Sequence, residues 1–166
     1  MGDVAPASAT PLLATKDGAT WKPGSSKGKL DFGVNDGVVK VSAVLGEGDR
    51  WVYPWHTVAP GEKPAAGAEG IAFTLTPTKG DATYHVMLRE PGGVVYSASL
   101  GHVIADGKPR RIVMTFDEFH WANYSPEDKN HQLDLGSLEA IAIGGNPKAP
   151  DFSYDVSGIE WVKFAE

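Results

Sequence analysis

Between Ala82 and Leu100 the chain places His85, Met87 and Arg89 on alternate positions, followed across Pro91-Gly92-Gly93 by Val95, Ser97 and Ser99. If both segments are extended, these side chains share one face. Setting Glu90 opposite Val94 gathers Tyr84, Val86 and Leu88 with Val94, Tyr96, Ala98 and Leu100 on the other face, an apolar set suited to a core. The first face is then a flat floor of small residues flanked by His85 and Arg89. The planar fork of Arg89 matches adjacent hydroxyls or a carboxylate. Trp51, Tyr53 and Trp55 also alternate and would project to one face, although Pro54 argues for an edge or a bend. His120, Trp121 and Tyr124 fall in an aromatic-rich loop beside Asn123 and Ser125, where exposure is expected because loops run over the surface. Aromatic planes next to strong donors are what a sugar needs, since a pyranose offers a C–H face to stack and a rim of hydroxyls to bond.

Plainer readings of the same residues compete. Two of Trp51, Tyr53 and Trp55 would fill the core, Trp21 and Trp161 belong to the core or the sheet ends, and His85 and Arg89 could form a solvated face with a salt bridge. Against the first of these, five tryptophans and 10% aromatic residues exceed what a sandwich of 166 residues needs to fill its core. Catalysis is the weaker reading. A polysaccharide lyase would need a Tyr or His beside a uronate carboxylate, but the register above puts Tyr84 and Tyr96 on the core face, away from His85 and Arg89. A glycosidase needs two carboxylates across a cleft, and Glu90, Asp117 and Glu118 show no such pairing. No nucleophile elbow, zinc helix or phosphate-cradling loop is present, and Gly144-Gly145-Asn146-Pro147 reads as a turn. A structural or protein-binding spacer remains the main alternative; exposed apolar area would mark it.

The elements that must position these residues are almost all β. Short runs rich in Val, Ile, Thr and Tyr are broken every 8 to 12 residues by Gly, Pro, Asn or Asp. Lys29 to Val34 and Val38 to Leu45 flank Asn35-Asp36-Gly37, a hairpin turn. Ile71, Phe73 and Leu75 alternate with Ala72, Thr74 and Thr76, and Ile112, Met114 and Phe116 form a similar strand. Ala140 to Ile143 is a short apolar strand, and Tyr154 to Phe164 is the last. Ser125 to Asp128 reads as one helical turn, with Ser as cap and Pro at the first position. Val4 to Thr10, built from Ala, Pro, Ser and Thr, fits a linker, so residues 1–11 read as a linker or an appended remnant and 12–166 as one domain. With roughly nine to eleven strands and no helices to cover a sheet, two antiparallel sheets must cover each other, and a jelly-roll β-sandwich is the expected all-β solution.

Net charge −6 with interspersed signs offers no basic stripe for nucleic acid or anionic lipid. No apolar run approaches the roughly 20 residues of a membrane span. The absence of cysteine excludes disulfides and thiol chemistry.

The Trp51-Val52-Tyr53-Pro54-Trp55 strand, Gly70-Ile71-Ala72-Phe73-Thr74-Leu75, the Phe116-Asp117-Glu118-Phe119 step and the closing Tyr154-Asp155-Val156-Ser157-Gly158-Ile159-Glu160-Trp161 together resemble carbohydrate-binding modules of the galactose-binding-domain-like jelly-roll type. The resemblance covers most of Leu12 to Phe164. It implies a non-catalytic, secreted, monomeric module that binds a polysaccharide or oligosaccharide and belongs to a multimodular glycan-degrading enzyme. It places binding on the concave face of one sheet or on rim loops, so His85, Met87, Arg89, Trp51, Tyr53, His120, Trp121 and Tyr124 are the ligand-binding candidates. It also implies a structural calcium near the paired first and last strands, with Asp155 and Asp17 as candidate ligands.

Overall fold

Asp36 and Gly37 carry φ values of 51° and 78° and close a tight turn between the paired residues Asn35 and Val38, the conformation their residue types favour. This hairpin opens one sheet of a computed structural model that describes residues 6–11, 21–22, 29–47 and 51–164. Twelve strands occur among those residues: β1 (Pro6–Pro11), β2 (Trp21–Lys22), β3 (Lys29–Asn35), β4 (Val38–Val44), β5 (Trp55–Thr57), β6 (Gly70–Lys79), β7 (Ala82–Arg89), β8 (Val95–Val103), β9 (Arg110–Thr115), β10 (His120–Trp121), β11 (Ala140–Pro147) and β12 (Asp151–Phe164). All pairings are antiparallel. Sheet 1 has the order β3-β4-β12-β6-β9, with β1 added along the last residues of β12. Sheet 2 has the order β10-β8-β7-β11-β5-β2. Among the described residues no helix is long and apolar enough to cross a membrane.

Period-two alternation puts one face of each sheet inside. Val39, Val41 and Ala43 of β4 are buried while Lys40, Ser42 and Val44 are exposed. Phe73, Leu75, Phe152, Tyr154 and Trp161 from sheet 1 meet Tyr84, Val86, Leu88, Ile141 and Ile143 from sheet 2. Trp21 and Trp161 are both core residues, as expected. A polar tie crosses this core. His56 of β5 is fully buried and bonds through Nε2 to Glu62 Oε2 at 3.3 Å, while Glu62 Oε1 accepts the Ala59 N–H. The Trp161 indole N–H then donates to the Glu62 carbonyl at 2.6 Å, so the Pro60–Glu62 turn links β5 to β12.

Three local expectations are corrected. Pro6–Pro11, read as linker, is a strand paired with β12; its Pro, Ala, Ser and Thr residues carry no large apolar alternation to signal it, and the pairing needs only backbone groups. Gly144 to Pro147, read as a turn, continues β11 and pairs with His85 to Ala82 of β7. Ser125 to Asp128 forms no helix: the Ser125 hydroxyl instead accepts the Val95 N–H and donates to the Ala122 carbonyl, stitching the loop onto β8.

Candidate functional site

The pairing register of sheet 2 sets one row of outward side chains across its strands. Lys22 opposes Trp55, which opposes Ala142, then Met87, Ser97 and His120. With strands ~4.8 Å apart, the row from Trp55 to His120 spans about 19 Å. On one side of it lie Gly144, His85 and Ser99; on the other lie Thr57, Ala140, Arg89 and Val95. Ala140, Ala142 and Gly144 keep β11 low, so the middle of the sheet is a floor below taller neighbours.

This face is the one the alternation of Ala82 to Leu100 predicts. Tyr84, Val86 and Leu88 are fully buried, whereas His85, Met87 and Arg89 are half-exposed. Leu88 opposes Tyr96 and Val86 opposes Ala98, as expected; beyond them a bulge between Tyr84 and His85 sets Gly101, rather than Leu100, opposite Tyr84.

Two loops raise walls above the floor. Residues 51–54 run into β5 beside β11, held by reciprocal backbone hydrogen bonds between Val52 and Gly145. This close approach needs Gly144: a Cβ there would lie 2.0 Å from the Val52 carbonyl oxygen and 3.0 Å from Tyr53 Cα. Gly144→Ala should therefore lower stability by ~1–3 kcal/mol, as overpacking does, and chemical denaturation of the folded variant measures it. This segment puts Trp51, Tyr53 and Trp55 on the groove together, so the reading in which two of them fill the core does not hold. Trp51 is exposed and stacks on Tyr53 with ring centroids 6.3 Å apart, and Trp55 is half-exposed. Tyr53 is buried yet lines the groove. From the opposite side Tyr124, 68% exposed, reaches over the floor and donates its hydroxyl to Met87 Sδ at 3.5 Å. The groove between these walls encloses about 540 Å³, with Met87 and Ser97 on its floor and Asn146 at its edge.

The polar end of the groove is organised by Tyr53. Its hydroxyl donates to Asn146 Oδ1 and lies 2.9 Å from His85 Nδ1. Because that proton goes to Asn146, the phenol oxygen accepts from His85 Nδ1–H. This tautomer leaves His85 Nε2 as an acceptor, and the Asn146 amide supplies donors. Burial raises the Tyr53 pKa, so the phenol keeps its proton. Burial also lowers the pKa of His85. The folded protein thus resists a proton that the unfolded chain takes up as pH falls below about 6.5, so His85 removes stability on the acid side and none above it. The midpoint of thermal unfolding should fall less steeply between pH 7 and 5 in His85→Gln than in the parent.

Not every candidate joins the groove. His120 shares the row but lies beyond Ser97, exposed at the strand edge. Trp121 opposes Tyr96 on the other face, and its indole N–H is tied to the Pro126 carbonyl at 3.0 Å. Arg89 forms no salt bridge among the described residues; its guanidinium lies over the Trp55 ring, 4.8 Å from the centroid. Three contributors were not among the candidates: Trp55, which its alternation with Trp51 and Tyr53 signals, Ser97, signalled as floor, and Asn146, hidden behind the turn-like glycines. Of the calcium pair, Asp17 lies outside the described residues and Asp155 is held by Lys40 at 3.2 Å. Among the described residues no three His, Asp or Glu side chains converge on a point.

No family model matches the sequence, and neither does any curated protein. Solved structures do match. A family 11 carbohydrate-binding module from Clostridium thermocellum, in complex with a β-1,3-1,4-mixed-linked tetrasaccharide, aligns with a TM-score of 0.76 at 15% identity, over 95% of this chain and 97% of its own. The family 11 module of the cellulosomal cellulase Lic26A-Cel5E from the same organism aligns with a TM-score of 0.73 at 15% identity, over 96% of both chains. The agarase AgWH50C aligns with a TM-score of 0.67 at 12% identity, over 95% of this chain and only 25% of the agarase. The chain thus has the two-sheet jelly-roll fold of these modules, as the sequence led us to expect.

Proposed function

We infer that the chain is a non-catalytic carbohydrate-binding domain that holds a polysaccharide or oligosaccharide in the groove of sheet 2. The carrying observation is the groove itself: Trp55 and Tyr124 rise on opposite sides of a flat Ala142-Met87-Ser97 floor, with the Tyr53-His85-Asn146 network at one end. Aromatic walls can stack on sugar C–H faces while the network bonds hydroxyls. The tetrasaccharide held by the Clostridium thermocellum module supports a sugar as ligand, and the alignment to a quarter of an agarase supports a place within a larger glycan-degrading enzyme. Binding without catalysis is supported by Tyr84 and Tyr96, which point into the core and not toward His85 and Arg89. A shallow groove of this kind binds in about the micromolar to millimolar range, which tethering to an enzyme raises in effect.

Affinity electrophoresis against soluble plant, algal and fungal polysaccharides tests this reading. At least one polymer should retard the parent, and Tyr124→Ala, at an exposed position, should stay folded and migrate about as it does without polymer. No retardation by any polymer would favour a protein-binding spacer.

A further inference from the structure

Resting on the reading of the groove as a glycan site, we propose that its Trp55 end is a subsite for an anionic substituent, a carboxylate or a sulfate ester, on the bound sugar, read by Arg89 and Lys22. The chain has more acidic than basic residues, 21 against 15, so a half-buried arginine should readily find a carboxylate. Arg110 and Arg111 do, on Asp106 and Glu160. Lys40 and Lys79 hold Asp155 and Asp151. Arg89 makes no ion pair and no side-chain hydrogen bond among the described residues, only the contact with the Trp55 face. That contact seats the guanidinium on the ring, and its donors meet no acceptor among the described residues.

Lys22 is the second observation. It opposes Trp55 in the antiparallel pair of β2 and β5, so its exposed side chain leaves the same face of the sheet beside that ring. Like Arg89, it forms no ion pair among the described residues. Two cations with no ion pair among the described residues therefore flank one aromatic platform, and no Asp or Glu among the described residues lines the groove to oppose an anion. The net negative charge of the chain acts from farther away and is screened within about 8 Å at physiological ionic strength. A sugar stacked near Trp55 brings a carboxylate or sulfate into the Arg89 fork, where paired charge-assisted hydrogen bonds form.

The test titrates tryptophan fluorescence with oligosaccharides of glucan, mannan and galactan backbones, each neutral, carboxylated at C6 and sulfated. For whichever backbone binds, a charged form should bind about tenfold or more tightly than the neutral one, and Arg89→Ala should remove that preference by weakening the charged form about tenfold more than the neutral one. Lys22→Ala should reduce the preference less, and Arg89→Lys should retain part of it. Preference for only the carboxylated or only the sulfated form supports the subsite and names its anion. Equal binding of neutral and charged forms, or a charge preference that survives Arg89→Ala, overturns this subsite and leaves the glycan-binding reading standing. Absence of binding by every oligosaccharide overturns both.

Discussion

Replacing Trp55 by alanine should weaken glycan binding about thirtyfold, a loss of about 2 kcal/mol, while the protein remains folded. Trp55 stands at the head of the row that crosses sheet 2, beside the fully buried Ala142 and under the Arg89 guanidinium. Its removal takes away a stacking face and frees Arg89 to wander, so two contacts with a ligand weaken together. Half-exposure keeps the cost to folding small compared with that of a core tryptophan. Calorimetric titration of the parent and variant, with circular dichroism to confirm the fold, measures both quantities. An affinity loss below about threefold, on a polymer the parent binds, would mean that the sugar does not stack there.

Glu62→Ala should destabilise the fold by about 3 kcal/mol, the scale at which breaking a buried polar pair is felt. The carboxylate bonds both the buried His56 ring and the Ala59 N–H, and both partners lose their acceptor together. Glu62→Gln keeps an acceptor for one of them and should cost about half as much. His56 neighbours Trp55 on a strand of only three residues, so the tie that holds this strand in the core also positions the platform outside. Denaturant midpoints give the stabilities. If Glu62→Ala unfolds at the parent's midpoint, the tie contributes nothing and the position of Trp55 has another cause.

Much of this was legible in the sequence, and what was not has physical reasons. The Asn35-Asp36-Gly37 turn follows from tolerance of positive φ, and the face carrying His85, Met87 and Arg89 follows from alternation alone, because a one-residue slip would have buried all three. Alternation fails where backbone geometry departs from it. The bulge between Tyr84 and His85 shifts the partner of Tyr84, and no residue type announces it. Gly144 and Gly145 look like a turn, but Gly144 is small because Val52 and Tyr53 lie against it, a contact between segments about ninety residues apart, and a Cβ on Gly145 would crowd Thr83 and Phe152. Mistaking them hid Asn146. Trp121 looks like a platform because it sits in a polar loop, yet the pairing of His120 with Ser97 fixes the parity of the segment and sends Trp121 to the other face.

Whether glycan binds in the groove between Trp55 and Tyr124 is decided most simply by NMR of the tryptophan indole N–H signals. Titration with the oligosaccharide of the most strongly retarding polymer should move the signals of Trp51 and Trp55, which line the groove, and leave those of the buried Trp21 and Trp161 in place. Trp121, bonded to Pro126 outside the groove, should move little. Movement of Trp121 with Trp51 and Trp55 unchanged would rule out the groove and place the ligand on the other side of the sheet edge.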